Sequence, residues 1–595
     1  MFSPDTPRVH ERLTRRQPWA DRPLRVKNKL IFVVVLSALC LGVGVLGTSS
    51  VGAGTLPVNG SELQFVNRYF TGSGLGGAEI SAYDADSKHL FITNGAKNTI
   101  DIVNISNPRK PKLVKAVDFT ALGSGGIQSV AARKGVVVVA AMGATMTDPG
   151  KLFIMDAKGV LHKGLPAGLT VGALPDSVAI SKNGKYAVSA DEGEPKDYCL
   201  VNGTLPVTSD PRGSISIVDL AAKVPTVKTV DFTAFKDRKP AIIFAGGRVY
   251  GPGASVEQDL EPEYVAISDD STTAFVTIQE NNLIATVDLA TATITTLVGL
   301  GYKNHNTYIT GMDASDRDNK INIVPMNVQG MYQPDAIAAV TAGGNTYLIT
   351  ANEGDAREYP CLLGGTSTTT AEREDPRYGD VGLDANLTSS SVAGRLRVTV
   401  MPPAVVTGTN VTSATKVTAA YSTGARSFSV WKSNTIEGVF NADLVYDSGD
   451  EIERTVARHR PLLFNSEWNT STGLVGSFEA RSAAKGPEPE GLAVGSAYGR
   501  TWMVLTLERD SGLMLYDITD PVMPRFRQYL NTSLPGGDIL LGTAGDVSPE
   551  GVLFIDAKDS PTGTPMFVVS YELSGSVAFF ELTAPGPTRA GKSGK

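Results

Sequence analysis

The chain is poor in the residues that most often carry chemistry. Its 595 residues include three cysteines and five histidines. It has no HExxH pair, no zinc-type Cys/His spacing, no G-x-S-x-G elbow and no P-loop. Those absences exclude the common zinc, serine-nucleophile and nucleotide-phosphate sites that are recognisable by motif. Positive charge is not in surplus either: 54 Lys and Arg stand against 61 Asp and Glu, for a formal net charge of -7. A nucleic-acid partner needs a basic face to neutralise phosphates, so none is expected. Of the histidines, only His305, in YKNHNTY beside an acidic loop, has a candidate role, against the plainer reading of a surface side chain.

The cysteines are informative by position. Cys40 lies in an apolar run, where Leu39 rather than a small residue precedes it, so lipid attachment is not expected. Cys199 follows DEGEPKDY and Cys361 follows NEGDAREYP, the same place in two related segments. An extracellular compartment would permit a Cys199–Cys361 disulfide. A bridge and two free thiols both stay open.

What the chain does have is repetition. Glu488 to Pro521, EPEGLAVGSAYGRTWMVLTLERDSGLMLYDITDP, reads as strand, turn, strand, turn, strand. Related units start at Pro175, Glu261, Pro334 and Pro549, and weaker ones at Ala78 and Ile127. Small sheets repeated this way bury their faces only against one another, which predicts an all-β, seven-bladed β-propeller. Counting the segment after Asp355 separately would give an eight-bladed alternative. ELQFVNRYF, before the first unit, is expected to complete the last blade. Long insertions interrupt the units, and GRLRVTV with KVTAAYST is expected to form a hairpin inside the largest. The second blade is expected to run through Leu161.

Alignment of the units brings out two sets of acids. Glu79, Asp176, Glu263, Asp335, Glu490 and Glu550, with Gln128 as the exception, stand at the start of the first strand. Glu192, Glu280, Glu353, Glu508 and Glu572 stand at the end of the second. First strands line a propeller's channel, so these carboxylates are expected in a ring. Like charges at close range must be protonated, paired or bound to a cation. Hard oxygen ligands suit calcium or magnesium. The plainer reading is that each acid accepts backbone hydrogen bonds from the next blade. Arg317, Arg357, Arg426, Arg481, Lys485 and Arg509 are candidate counter-charges. A second calcium candidate is DASDRDNKINI, with Asp313, Asp316 and Asp318 as ligands and Asn319 where a calcium loop prefers Gly.

The ends divide simply. Residues 1–29 are a basic, cytoplasmic tail by the positive-inside rule. Residues 30–54 are apolar and small, and read as a transmembrane signal anchor or a cleaved signal peptide. Residues 62–582 hold the repeats, and 583–595 are expected to be a disordered tail. Seven Asn-X-Ser/Thr sequons, at Asn59, Asn104, Asn202, Asn386, Asn410, Asn469 and Asn531, are glycosylation candidates.

Several units, taken jointly, resemble the choice-of-anchor I family, which is similar to mesenchyme-specific cell-surface glycoproteins. They are GPGASVEQDLEPEYVAISDD, TIQENN, GMDASDRDNKINI, GMYQPDAIAAV, TANEGDAREY, GARSFSVW, LVYDSGD, KGPEPEGLAVG and SPEGVLFIDAKDSPTG. The resemblance covers roughly Gly76 to Leu582 and implies a surface or secreted propeller with a biomineralisation-type matrix role. Some members are labelled alkaline phosphatases, which implies a metal-dependent phosphoesterase as the alternative, with carboxylates holding cations and Arg residues taking phosphate. A metal-free interaction scaffold with a protein or matrix partner is the third reading.

Overall fold

The computed structural model describes residues 63–359, 372–404, 406–407, 416–436 and 439–584. Among the described residues, seven four-stranded antiparallel sheets carry most of the chain. Six run in chain order: sheet I (81–118), sheet II (126–173), sheet III (175–231), sheet IV (265–299), sheet V (337–447) and sheet VI (489–531). Sheet VII joins Pro549–Ile555, Met566–Tyr571 and Ser576–Leu582 to an outer strand from the other end of the chain, Leu63–Phe70. That strand pairs antiparallel with Ser576–Leu582, Leu63 opposite Leu582, as expected from ELQFVNRYF.

The packing is cyclic and propeller-like. Each first strand touches the first strand of the next sheet, and that of sheet VII touches that of sheet I. A separate apolar core fills every interface between neighbouring sheets. Phe91 and Ile102 of sheet I meet Val139 and Phe153 of sheet II. Leu90 and Ile92 of sheet I meet Val568 and Phe579 of sheet VII on the opposite face. Middle strands therefore read as unbroken apolar runs, such as VVVVAAM in Val136–Met142, because both faces are covered. Outer strands such as Lys112–Asp118 are mostly exposed and charged, which blunts the sheet edge.

Strand direction decides where insertions fall. First strands start, and second strands end, at one rim, so the connections from strand two to three and from sheet to sheet lie there. The opposite rim has mostly short turns, such as the one between Ser81–Asp84 and His89–Asn94. The insertions between sheets IV and V (residues 301–332) and after Asn352 build a satellite core of Met312, Val328, Tyr378, Leu396, Val398 and Val417. Within it, Val328–Met331 pairs antiparallel with Tyr302–Asn304 and parallel with Ala420–Ser422.

Two sequence expectations need correction here. GRLRVTV and KVTAAYST form no hairpin ladder, although one bond joins them, from the Thr399 amide to the Tyr421 carbonyl at 2.9 Å. Leu396, Val398 and Val400 alternate into the satellite core, which gave the strand-like pattern, but the amides of Val398 and Val400 donate to Pro376 and Glu374. Sheet II also extends past Leu161, to a fourth strand at Leu169–Ala173. The delayed strands of sheet V, Ser427–Ile436 and Val439–Asp447, fall where SFSVWK and DLVYDSGD place them.

No helix among the described residues is long and apolar enough to cross a membrane. The run 30–54 and Cys40 lie outside the described residues, as do 585–595. Cys199 is disulfide-bonded, and Cys361, its expected partner, lies outside the described residues.

One buried ion pair ties the large insertion to the ring. Arg248 and Glu374, both fully buried, meet at 2.7 Å. Arg248 also donates to the carbonyls of Glu280 (3.0 Å) and Pro402 (2.9 Å), and its guanidinium sits 3.8 Å from the Tyr250 ring centroid. Arg248→Met would strand the Glu374 carboxylate without its partner. Thermal or urea melting should show a loss of about 3–5 kcal/mol.

Candidate metal centre

The acids of the first strands are aimed by a repeated backbone device. The strand register shifts between Pro175 and Ser177, between Pro489 and Leu492, and between Pro549 and Val552. Each shift contains the aligned acid: Asp176, Glu490 or Glu550. A bulge leaves its residue unpaired and re-aims the side chain. Gln128 sits in the same shift between Ile127 and Ser129. Second-strand threonines repair the interrupted ladder: Thr93, Thr277 and Thr506 accept from the amides of Ile80, Tyr264 and Gly491 at 2.8–2.9 Å.

The result is an electrostatically connected ring. Burial pushes the Glu263 carboxyl well above its usual range, and Glu192, Asp176, Glu280 and Asp335 push it further. Burial does the same to Glu550, reinforced by Glu572, Glu508, Asp335 and Glu79. Burial raises Glu280 and Glu572 to about 7. Both aligned sets therefore meet at one rim.

Inside the ring are two triads. Oxygens of Asp335, Glu490 and Glu550 lie within 4.8 Å of one another, and so do those of Glu353, Glu490 and Glu508. Calcium–oxygen bonds of about 2.3–2.6 Å place ligands on one ion no more than about 5 Å apart, so either triad fits one ion. Glu490 is shared, only 7% exposed, and its Oε2 has no hydrogen-bond partner. Burial, then Glu353 and Asp335, raise its pKa well above the usual range. Asp335 and Glu490 oxygens face each other across less than 4.8 Å, which adds to the upward push on the Glu490 carboxyl.

The triads differ in counter-charge. Lys485 Nζ contacts Glu353, lies 3.4 Å from Glu488 and 4.0 Å from Asp355. Gln279 donates to Glu353 at 2.9 Å, and Ser548 to Glu508 at 3.1 Å. Arg509 pairs with both Glu508 and Glu488 at 3.0 Å. The Glu353 triad is thus already partly neutralised.

Three contributors escaped the alignment. Glu488 and Asp355 surround Lys485, and Glu261 holds Arg357 at 2.8 Å beside Asp259 at 2.6 Å. Burial opposes ionisation of Glu488, but Arg481, Lys485 and Arg509 hold its pKa well below the usual range. The signal was the doubled acid in Glu261-Pro262-Glu263 and Glu488-Pro489-Glu490, of which only the second Glu was aligned. Glu488 has φ 56°, a conformation costly for a residue with a Cβ, and its side chain is fully buried.

Other candidates go elsewhere. Arg317 meets Asp316 at 3.3 Å near the surface, and Arg426 pairs with buried Glu453 at 2.7 Å. Asp313 accepts from the amides of Ser315 (3.2 Å) and Asn322 (2.8 Å), Asp316 from Arg395 (2.7 Å), and Asp318 faces Glu479. His305 is not a surface side chain: it is 1% exposed, its Nδ1 lies 2.8 Å from the Thr310 carbonyl, and burial drops its pKa well below 6.5. Among the sequons, Asn202, Asn386 and Asn469 are exposed, whereas Asn531 donates to the buried Asp510 carbonyl at 2.8 Å. Asn104 is half-buried, and Asn59 and Asn410 lie outside the described residues. A cleft of about 570 Å³ lined by Arg212, Asp231 and Thr293 contains none of the ring acids.

These features define a class: an all-β, propeller-like ring with a buried carboxylate cluster at one mouth. The chain belongs to the choice-of-anchor I domain family, which matches residues 79–521. It is similar to Gigasin-3a of Magallana gigas, 32% identical over 171 residues, covering 27% of this chain and 57% of that protein. It is also similar to the mesenchyme-specific cell surface glycoprotein of Strongylocentrotus purpuratus, 28% identical over 294 residues, covering 46% of this chain and 37% of that protein. The chain thus spans well under two thirds of either relative. Among solved structures, it is similar to Kuenenia stuttgartiensis hydrazine synthase at TM-score 0.40 and 12% identity, covering 87% of this chain and 100% of that one. The β-propeller domain of Myceliophteria thermophila Cps50 (Swd1) gives 0.42 and 8%, covering 88% and 100%.

Proposed function

We propose that this chain is a seven-bladed propeller held outside the cell, anchored or secreted, which binds calcium at its axial carboxylates and serves as a surface or matrix protein. The observation that carries the metal is Glu490: a buried carboxylate oxygen without a donor, shared by two triads of hard ligands. The cyclic set of inter-sheet cores supports the blade count. The basic-then-apolar N-terminal sequence, the exposed sequons and the cell-surface relative support the location. Arg357, Arg481, Lys485 and Arg509 are all paired with carboxylates, so the mouth favours a cation over a phosphate ester.

Calcium should raise the melting temperature of the full-length protein over that in chelator. At a hundredfold excess over Kd the gain is about 2.7 kcal/mol. Glu490→Gln should abolish most of that gain while the variant melts in chelator at or above the wild-type temperature, since it takes one buried carboxyl out of a crowd of like groups. Unchanged calcium stabilisation in the variant would remove the site from the axis.

A further inference from the structure

We infer a second cation site, off the axis, formed by Asp318 of the acidic loop and Glu479 from a segment far along the chain. The Asp318 side chain is 4% exposed, yet neither of its oxygens has a hydrogen-bond partner. Its neighbouring cation, Lys320, is 3.8 Å away on a side chain that is 66% exposed. Glu479 is 2% exposed and faces Asp318. Two buried carboxylates set against each other, with a solvated lysine as the cation beside Asp318, make a place that favours a bound cation.

The loop is shaped to keep this pair together. Asp313 accepts the amides of Ser315 and Asn322, closing the loop on itself. The amides of Asn319 and Lys320 donate to Glu479, Asn319 at 3.2 Å. Asn319 has φ 55°, so it adopts the left-handed turn for which Gly is the cheaper residue. Glu479 therefore supplies, from another segment, the distal carboxylate that the loop sequence lacks. Asp316 stays outside the site, committed to Arg395. Hard oxygens, two of them wholly without donors, select calcium, whose remaining ligands can be carbonyls and water.

Such an ion would pin the loop to the segment that also carries Arg481 and Lys485. Arg317 and Lys320 project from that loop, 54% and 66% exposed, and offer trypsin two cuts. Limited trypsin digestion of the full-length protein, with calcium or with chelator, reads the pinning directly. Calcium should slow cleavage after Arg317 and Lys320 by roughly tenfold or more, the penalty of opening a calcium-held loop. The protection should vanish in Asp318→Asn and in Glu479→Gln, and persist in Glu490→Gln, where the axial site is damaged. Either of the first two variants decides the matter if the other does not fold. The proposal is overturned by calcium-independent cleavage of the wild type, by equal protection in Asp318→Asn and Glu479→Gln, or by loss of protection in Glu490→Gln.

Discussion

Lys485→Met should cost about 3–5 kcal/mol in chelator, and calcium should restore part of that loss. The lysine is 14% exposed and reaches Glu353, Glu488 and Asp355 from a single Nζ. Burial alone would favour its neutral form, but Glu353, Glu488 and Asp355 reverse that and raise its pKa. It is the resident cation of the Glu353 triad, tethered by its own chain. Methionine keeps the volume and removes the charge, leaving three acids facing one another. Arg509 and Arg481 still balance Glu488, so the exposed deficit falls on Glu353 and Asp355. A metal ion can fill that deficit with the same sign of charge. Chemical denaturation with and without calcium measures both parts. A variant as stable as wild type in chelator would mean that the acids carry protons without help from Lys485.

The ring should also make stability fall as pH rises, and calcium should flatten the fall. Burial raises Glu280 and Glu572 from 4.5 to about 7, and places Glu263, Glu353, Glu490 and Glu550 higher than usual. Between pH 4.5 and about 7 the folded chain therefore holds protons that the unfolded chain has released. Stability contributed by such groups is full below the unfolded pKa and is lost as pH climbs through the folded one. Each extra proton held gives a slope of about -1.4 kcal/mol per pH unit. Glu488, held low, acts in the opposite sense, but only below pH 4.5. His305, kept neutral by burial, opposes the trend below pH 6.5, while Asp313, raised to about 7, adds to it away from the axis. The difference between melts with and without calcium isolates the metal-linked carboxylates. That difference should widen from pH 5 to pH 8, because calcium displaces the protons. A gap independent of pH would mean that calcium binds where no proton is held.

The propeller-like plan was legible because its logic is local and repeated. Most units carry similar turns, the same apolar middle strands and an acid at the same offset, so even the closing strand Leu63–Phe70 could be assigned. The ring acids were legible for the same reason. What the sequence hid were contacts made by insertions, which obey no repeat. Lys485 was readable as a counter-charge, but nothing in KGPEPEG says that Glu488 takes a left-handed conformation to meet it. Nor does RLRVTV reveal that its alternating side chains serve a satellite core rather than a hairpin. The acidic loop was visible, but its partner Glu479 lies about 160 residues away, and no local pattern joins them.

The proposed calcium role stands or falls on an ion bound at the axis. Crystals of the protein grown with calcium, then exchanged for an anomalously scattering lanthanide, test it most directly. The predicted result is an anomalous peak within bonding distance of Asp335, Glu490 and Glu550, absent in Glu490→Gln. A mouth that holds only water beside those three carboxylates, with lanthanide bound elsewhere or not at all, would contradict it.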